Sequence, residues 1–190
     1  MKNLLFSLRK DNRGVSLIEL IVVMAIMVVL VGAASVGISL VSTKAATQCA
    51  KNMQISLNKA RINAMGKKNS YIAFIQTGDG VYMVERFDET AYDENTGHRI
   101  SVWTNPEGGS YSNPGEMQGV AKIGKTGLDI TVNGTDLKTF ENGTSYIEFK
   151  RSDGSLKDPA NLTIVVKKGT LITYTVHVEP LTGKVVFKQE

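Results

Sequence analysis

One carboxylate, Glu19, stands at the head of a long apolar run, and from Leu20 to Val41 no charged residue follows it. On insertion scales an acidic residue costs about 2.5–3.5 kcal/mol at the middle of a membrane and less towards its edge, so Glu19 needs a partner. Immediately before it lie Gly14 and Val15, and before those a short segment with Lys2, Arg9, Lys10 and Arg13 against Asp11. Elsewhere the chemistry is thin. His98 falls in a loop and His177 on the polar side of a strand, and neither has a ligand partner at helical spacing, so no metal site is expected. Asp88, Glu89, Asp93 and Glu94 lack the spacing of a calcium loop and read as a solvated acidic turn. There is no Gly-x-Ser-x-Gly elbow and no phosphate-binding glycine loop, so no cofactor is expected and the chain does not read as an enzyme.

The elements that must position Glu19 follow from the hydrophobic pattern. Leu20 to Val41, at about 1.5 Å per residue, gives a helix of about 33 Å, matching a bilayer core of about 30 Å. Gly32 and Gly37 weaken that helix, which suits either close packing in a membrane or later loosening. Beyond Lys44 the helix becomes amphipathic: Ala46, Cys49, Met53, Leu57, Ala60 and Ala64 recur at three- and four-residue spacing. Ile55 and Ile62 lie on a second line, more than about 100° from that stripe, where they face away from the head's own core. Gly66 stops the helix, which therefore runs from about Val15 to Met65. Cys49 is the only cysteine, so no intrachain disulfide forms, and its place on the stripe makes it a small buried hydrophobe.

After Gly66 the period falls to two. Tyr71–Gln76 and Val81–Phe87 form a hairpin around Gly78-Asp79. Arg99–Thr104 reads as a further strand, Asn105–Gln118 as an irregular surface loop rich in proline and glycine, and Val120–Ile123 and Leu128–Val132 as weaker strands. Tyr146–Arg151 alternates, with Ile147 and Phe149 on one face and Glu148 and Lys150 on the other. Leu162–Lys167, Leu171–Val178 and Val185–Phe187 complete an antiparallel sheet with one apolar face, for the helix stripe to cover.

A basic leader, then Gly14, then an apolar segment whose fifth residue is Glu19, resembles the prepilin signal of type IV pilins and pseudopilins. The resemblance implies that a membrane prepilin peptidase cuts between Gly14 and Val15, that Val15 is N-methylated, and that Glu19 serves assembly. Two other readings remain open: a secretory signal cut after Ala33 or Ala34, and a plain single-span anchor. Neither accounts for Glu19. The final segments, Ile147-Glu148-Phe149, Asp153-Gly154, Thr163-Ile164-Val165-Val166 and Pro180-Leu181-Thr182-Gly183-Lys184-Val185, resemble the H-type minor pseudopilins of type II secretion and the FimT-type minor pilins.

These readings give an α+β, pilin-like chain in four parts: leader 1–14, membrane and assembly helix 15–43, amphipathic helix 44–66 and β-rich head 67–190. The resemblance implies a structural subunit, expected to be minor, of a pilus-like filament or secretion pseudopilus. It is made in the cytoplasmic membrane with a single span, its amino terminus inside and its head outside. The implied partners are the prepilin peptidase, other pilin or pseudopilin subunits, an inner-membrane assembly platform, and membrane lipid before assembly. Net charge is +4, of which the leader holds +3, so the exported part is nearly neutral. Lys150, Arg151, Lys167, Lys168, Lys184 and Lys188 make the last third locally basic, which leaves a membrane-tethered binding module for DNA or an exported substrate as the alternative. No aromatic residues alternate with those cations, and DNA is not favoured.

Overall fold

The structure, a computed structural model, describes residues 16–66, 69–169 and 172–189, without the side chains of 33–42. The leader, Gly14 and Val15 therefore lie outside the described residues, as do Lys67, Lys68 and Leu171. The chain divides into two compact units, Met1–Leu40 and Val41–Glu190. Helix α1 spans Leu17–Gly66 and contributes to both.

In the first unit α1 begins where Ser16 caps it. Ser16 Oγ accepts from the Ile18 amide at 3.4 Å, and the Glu19 carboxylate accepts from the Ser16 amide at 2.8 Å. This reciprocal pair satisfies amides that a helix start leaves without partners, and its sequence form is Ser-x-x-Glu.

In the second unit the expected stripe is buried. Ala46, Cys49, Met53, Leu57, Ala60 and Ala64 are at most 4% exposed, and Ala50 joins them. They pack against two five-stranded antiparallel sheets rather than one. The first sheet orders its strands β3 (Val120–Gly124), β2 (Gly80–Phe87), β1 (Ser70–Thr77), β6 (Thr144–Phe149), β7 (Leu156–Asp158). The second has the order β10 (Val185–Gln189), β9 (Thr173–Val178), β8 (Leu162–Lys167), β4 (Asp129–Val132), β5 (Thr135–Asp136). Ile72, Phe74, Val81 and Met83 of the first sheet join Ile130, Ile164, Val166, Val176 and Val178 of the second and the helix stripe in one apolar cluster.

The first sheet corrects the expectation of one apolar face per strand. Seven of the eight residues of β1 are buried, because its other face holds a second cluster of Tyr71, Ala73, Ile75, Tyr82 and Val84. The segment from Asp88 to Gly119 supplies the cover through Ala91, Val102 and Met117. Arg99–Thr104 is correspondingly no strand; it turns, and Tyr92 with Arg99 and Thr104 with Ser110 make only isolated bridges. Its backbone carbonyls are taken by side chains of the sheet instead, Ile100 by the Tyr71 hydroxyl at 2.5 Å and Val102 by the buried Arg86 guanidinium at 3.3 Å. Trp103 Nε1 donates to Thr144 Oγ1 at 2.9 Å.

Two late turns meet at the helix. Arg61 Nε donates to the Gly154 carbonyl at 3.2 Å, and the Leu156 amide donates to the Pro180 carbonyl at 2.9 Å. Gly183 has φ 64°, and a Cβ there would overlap the Gly154 carbonyl oxygen. Gly183→Ala adds a left-handed backbone penalty to a backbone clash, and should destabilise the head by about 2–4 kcal/mol. For a unit of this size that is a Tm loss of about 4–16 °C, readable by thermal melting. Gly169→Ala, at φ 70° but with open space around it, should cost much less.

Candidate assembly surface and amino-terminal motif

Four sets of side chains could act outside the chain's own core. The first is Glu19 with the apolar residues behind it. Among the described residues Leu17 to Val31 are exposed along the helix, Leu17 at 78%. Apolar surface on this scale is not left in water, so it requires cover from outside the first unit. Among the described residues no helix is long and apolar enough to cross a membrane. The charge-free run of the sequence continues into 33–42, whose side chains lie outside the description. Glu19 itself, read from sequence as a carboxylate in want of a partner, already has the Ser16 amide. That role was signalled by Ser-x-x-Glu ahead of an apolar run, and the membrane reading of Glu19 passed over it.

The second set is the isoleucine line. Ile55 is 64% exposed and Ile62 63% exposed, while Met53 and Leu57 beside them are fully buried. The 3.6-residue period places these pairs on different faces, and the burial follows it. Hydrophobic burial that the head could have used is thus left on one side of the helix.

The third is a polar cluster that sequence alternation assigned to an outward face. Glu148 is only 6% exposed. Arg99 Nη1 lies 3.1 Å and Lys157 Nζ 2.8 Å from its carboxylate, and Arg99 also reaches Asp158 at 3.2 Å. The Arg99 guanidinium stacks 4.2 Å over the Tyr146 ring. Burial, followed by the nearby Glu148 carboxylate, raises the Tyr92 hydroxyl well above its ordinary pKa, and burial likewise raises that of Tyr71. A carboxylate satisfied by two cations, with neutral tyrosines around it, clamps the covering segment and leaves no free nucleophile or base.

The acidic turn and the histidines form no centre. Asp93 accepts from the Asn95 amide at 2.9 Å and the Thr96 amide at 2.8 Å, and these bonds lower its pKa. His177 Nδ1 sits 3.0 Å from Thr163 Oγ1, and His98 is exposed in the loop. Among the described residues no three His, Cys, Asp or Glu side chains converge on a metal-sized site. Three of the six basic residues of the last third line two separate grooves. Lys150 and Arg151 line one beside Ala64 and Asn69, and Lys168 lines another with Lys44.

The family model for the prokaryotic N-terminal methylation motif matches residues 9–35. This segment carries the prokaryotic N-terminal methylation motif. The matched residues include Gly14, Val15 and Glu19. No curated protein sequence matches the chain. Two crystal structures of the type IV minor pilin FimU of Pseudomonas aeruginosa are similar to it, at 13% and 12% identity with TM-scores of 0.43 and 0.44. Each covers 75% of this chain, and 87% and 91% of that one. The match to the methylation motif is confined to the amino-terminal segment.

Cys49 belongs to the fold and not to any of these surfaces. It is fully buried, opposite Gly124, where an added Cβ would come within 2.7 Å of its sulfur. Burial pushes its thiol up to about 12. A raised folded-state pKa means that the thiol's contribution is intact below the unfolded value near 9 and is lost as pH rises from there towards 12. In the native protein at pH 8 iodoacetamide should leave Cys49 unmodified, and the denatured chain should be fully alkylated, as read by intact mass. Rapid alkylation of the native protein would show that the stripe does not pack as described.

Proposed function

We propose that this chain is a structural subunit, of the minor kind, of a type IV pilus-like filament or a type II secretion pseudopilus. It is made as a membrane-anchored prepilin, cut after Gly14 and N-methylated at Val15. The observation that supports this most is Glu19 at the head of the uncharged run, inside a segment that carries the methylation motif. Before assembly the run Leu20–Val41 lies in the cytoplasmic membrane with the leader's cations inside and the head outside, and lipid covers its side chains. In the filament other subunits replace the lipid, brought there by an assembly platform. DNA or an exported substrate as the ligand of a tethered head is the second reading; Lys150 and Arg151 line one groove and Lys168 another, and this separation weighs against it.

Cleavage creates an amine at Val15 that can pair with Glu19, in its own chain or a neighbour's. A carboxylate has two oxygens and about four acceptor positions, so it can keep the Ser16 amide and receive an ammonium as well. Loss of a helix cap costs about 0.5–2 kcal/mol, whereas removing one member of a buried ion pair costs about 3–5 kcal/mol. Pairing therefore dominates over capping. Intact mass of the membrane-extracted protein should begin at Val15 and carry one extra methyl group, and Gly14→Leu should leave the leader attached. Glu19→Ala and Glu19→Gln should both be cleaved and inserted but fail to enter filaments, although glutamine keeps an oxygen for the Ser16 amide. Normal filament entry by Glu19→Gln would reduce the residue to a cap. A mature start at Ala34 or Ser35 would reject prepilin processing altogether.

The isoleucine line supplies the second contact in this reading: Ile55 and Ile62 meet the helix of a neighbouring subunit. Ile55→Ser with Ile62→Ser should leave the melting temperature of the head fragment from Lys44 onward nearly unchanged and reduce filament incorporation. Leu57→Ser should unfold the head, since a truncated buried leucine alone costs about 2–5 kcal/mol. A large stability loss in the double isoleucine variant would reverse the assignment of the faces.

A further inference from the structure

At the end of the head where α1 enters it, Lys44, Gln48 and Asn52 of the helix line a groove of about 650 Å³ with Lys122, Lys125 and Lys168. The fold brings these cations together from three places. Lys122 lies in β3 and Lys125 just beyond it, Lys168 in the turn after β8, and the Asn52 side chain ties the helix to β3 by donating to the Ile123 carbonyl at 3.0 Å. Lys122 is partly compensated, with Asp79 at 3.5 Å and the Tyr82 ring at 5.2 Å. Among the described residues Lys44, Lys125 and Lys168 have no carboxylate within ion-pair distance, and Lys168 is half-buried. Four ammonium groups around one concavity, with a single carboxylate among them, repel one another unless an anion enters.

We propose that this groove binds the phosphodiester headgroup of an anionic phospholipid in the leaflet that faces the head. The inference rests on the membrane-anchored reading given above. Lys44 is the first charge after the apolar run and stands three residues beyond Val41, about 4.5 Å of helix rise. If the run fills the hydrocarbon core, Lys44 lies in the headgroup layer, and the lysines that share its groove lie beside it. Gln48 and Asn52 add polar groups, and Ala45 and Ile123 give an apolar wall suited to the glycerol end of a lipid. A nucleic acid has the same phosphodiester, but no aromatic side chain lines the groove to stack a base. The groove holds the head against the membrane surface, and a subunit leaving for the filament has to give up this contact.

The test uses the processed full chain in neutral maltoside micelles, titrated calorimetrically with dihexanoyl phosphatidylglycerol. Dihexanoyl phosphatidylcholine, inorganic phosphate and a short single-stranded oligonucleotide are titrated in parallel. Saturable binding is expected for the phosphatidylglycerol, clearly tighter than for the other three. Lys122→Gln with Lys125→Gln and Lys168→Gln should weaken it by about tenfold or more, as should Lys125→Glu alone to a smaller degree, with unchanged melting temperatures. Lys150→Gln with Arg151→Gln, in the other groove, should leave it unchanged. Equal binding by phosphatidylcholine or by the triple variant overturns the proposal. Equal binding by inorganic phosphate makes the groove a site for free phosphate, and tighter binding of the oligonucleotide makes it a nucleic-acid surface; either result also overturns it. Because binding is read on the purified chain without filaments, its absence leaves the Glu19 results standing. Filament entry by Glu19→Gln would in turn count against assembly through Glu19 whether or not lipid binds.

Discussion

The buried stripe of α1 is the surface on which both sheets close, and its residue sizes set how closely they can do so. Ala46, Cys49, Ala50, Ala60 and Ala64 are small, and the larger Met53 and Leu57 are fully buried in the same cluster as the strands of both sheets. Opposite Cys49 the chain has Gly124, where no larger residue fits. Interiors at crystal-like density tolerate neither added nor missing methylenes there. The sheets in turn place everything else, since the Asp88–Gly119 cover rests on the far face of the first sheet and the basic groove opens between β3 and the turn after β8.

How much of this was legible depends on which physical signal each part carries. The helix stripe follows a 3.6-residue period over a long stretch, and every stripe residue named from the sequence is buried. The strands of the second sheet alternate and pack on one face, so Tyr174, Val176 and Val178 also lie where alternation puts them. β1 is different: Tyr71-Ile72-Ala73-Phe74-Ile75 is apolar at every position, the pattern of a strand covered on both sides. Its second cover is a segment rich in glycine, proline and polar residues, which composition alone reads as surface loop. Ala91, Val102 and Met117 are buried in the cluster, Tyr92, Trp103 and Tyr111 pack against it partly buried, and backbone carbonyls of the segment bond to side chains of the sheet; anchors so irregularly spaced leave no period to read.

Glu148 shows the same limit at one residue. Alternation correctly separates it from Ile147 and Phe149, but the face it occupies is covered, so the carboxylate is desolvated and needs Arg99 and Lys157. Arg99 lies 49 residues away in the chain, and no local pattern links the two. Glu19 is the converse, because its partner in the structure is only three residues away and visible as Ser-x-x-Glu.

The two apolar faces of the helix differ in what burial can do for folding. A residue such as Leu57, enclosed by the head's own sheets, acts on the equilibrium between folded and unfolded chain. Ile55 and Ile62 gain less from that equilibrium, since they stay 64% and 63% exposed in the folded head. Their burial becomes available only when another surface approaches. Leu17 to Val31 are exposed to a similar degree. On the assembly reading proposed above, the apolar surface of the helix is covered by lipid or by another helix, and Glu19 favours the neighbour that brings a cation to its height.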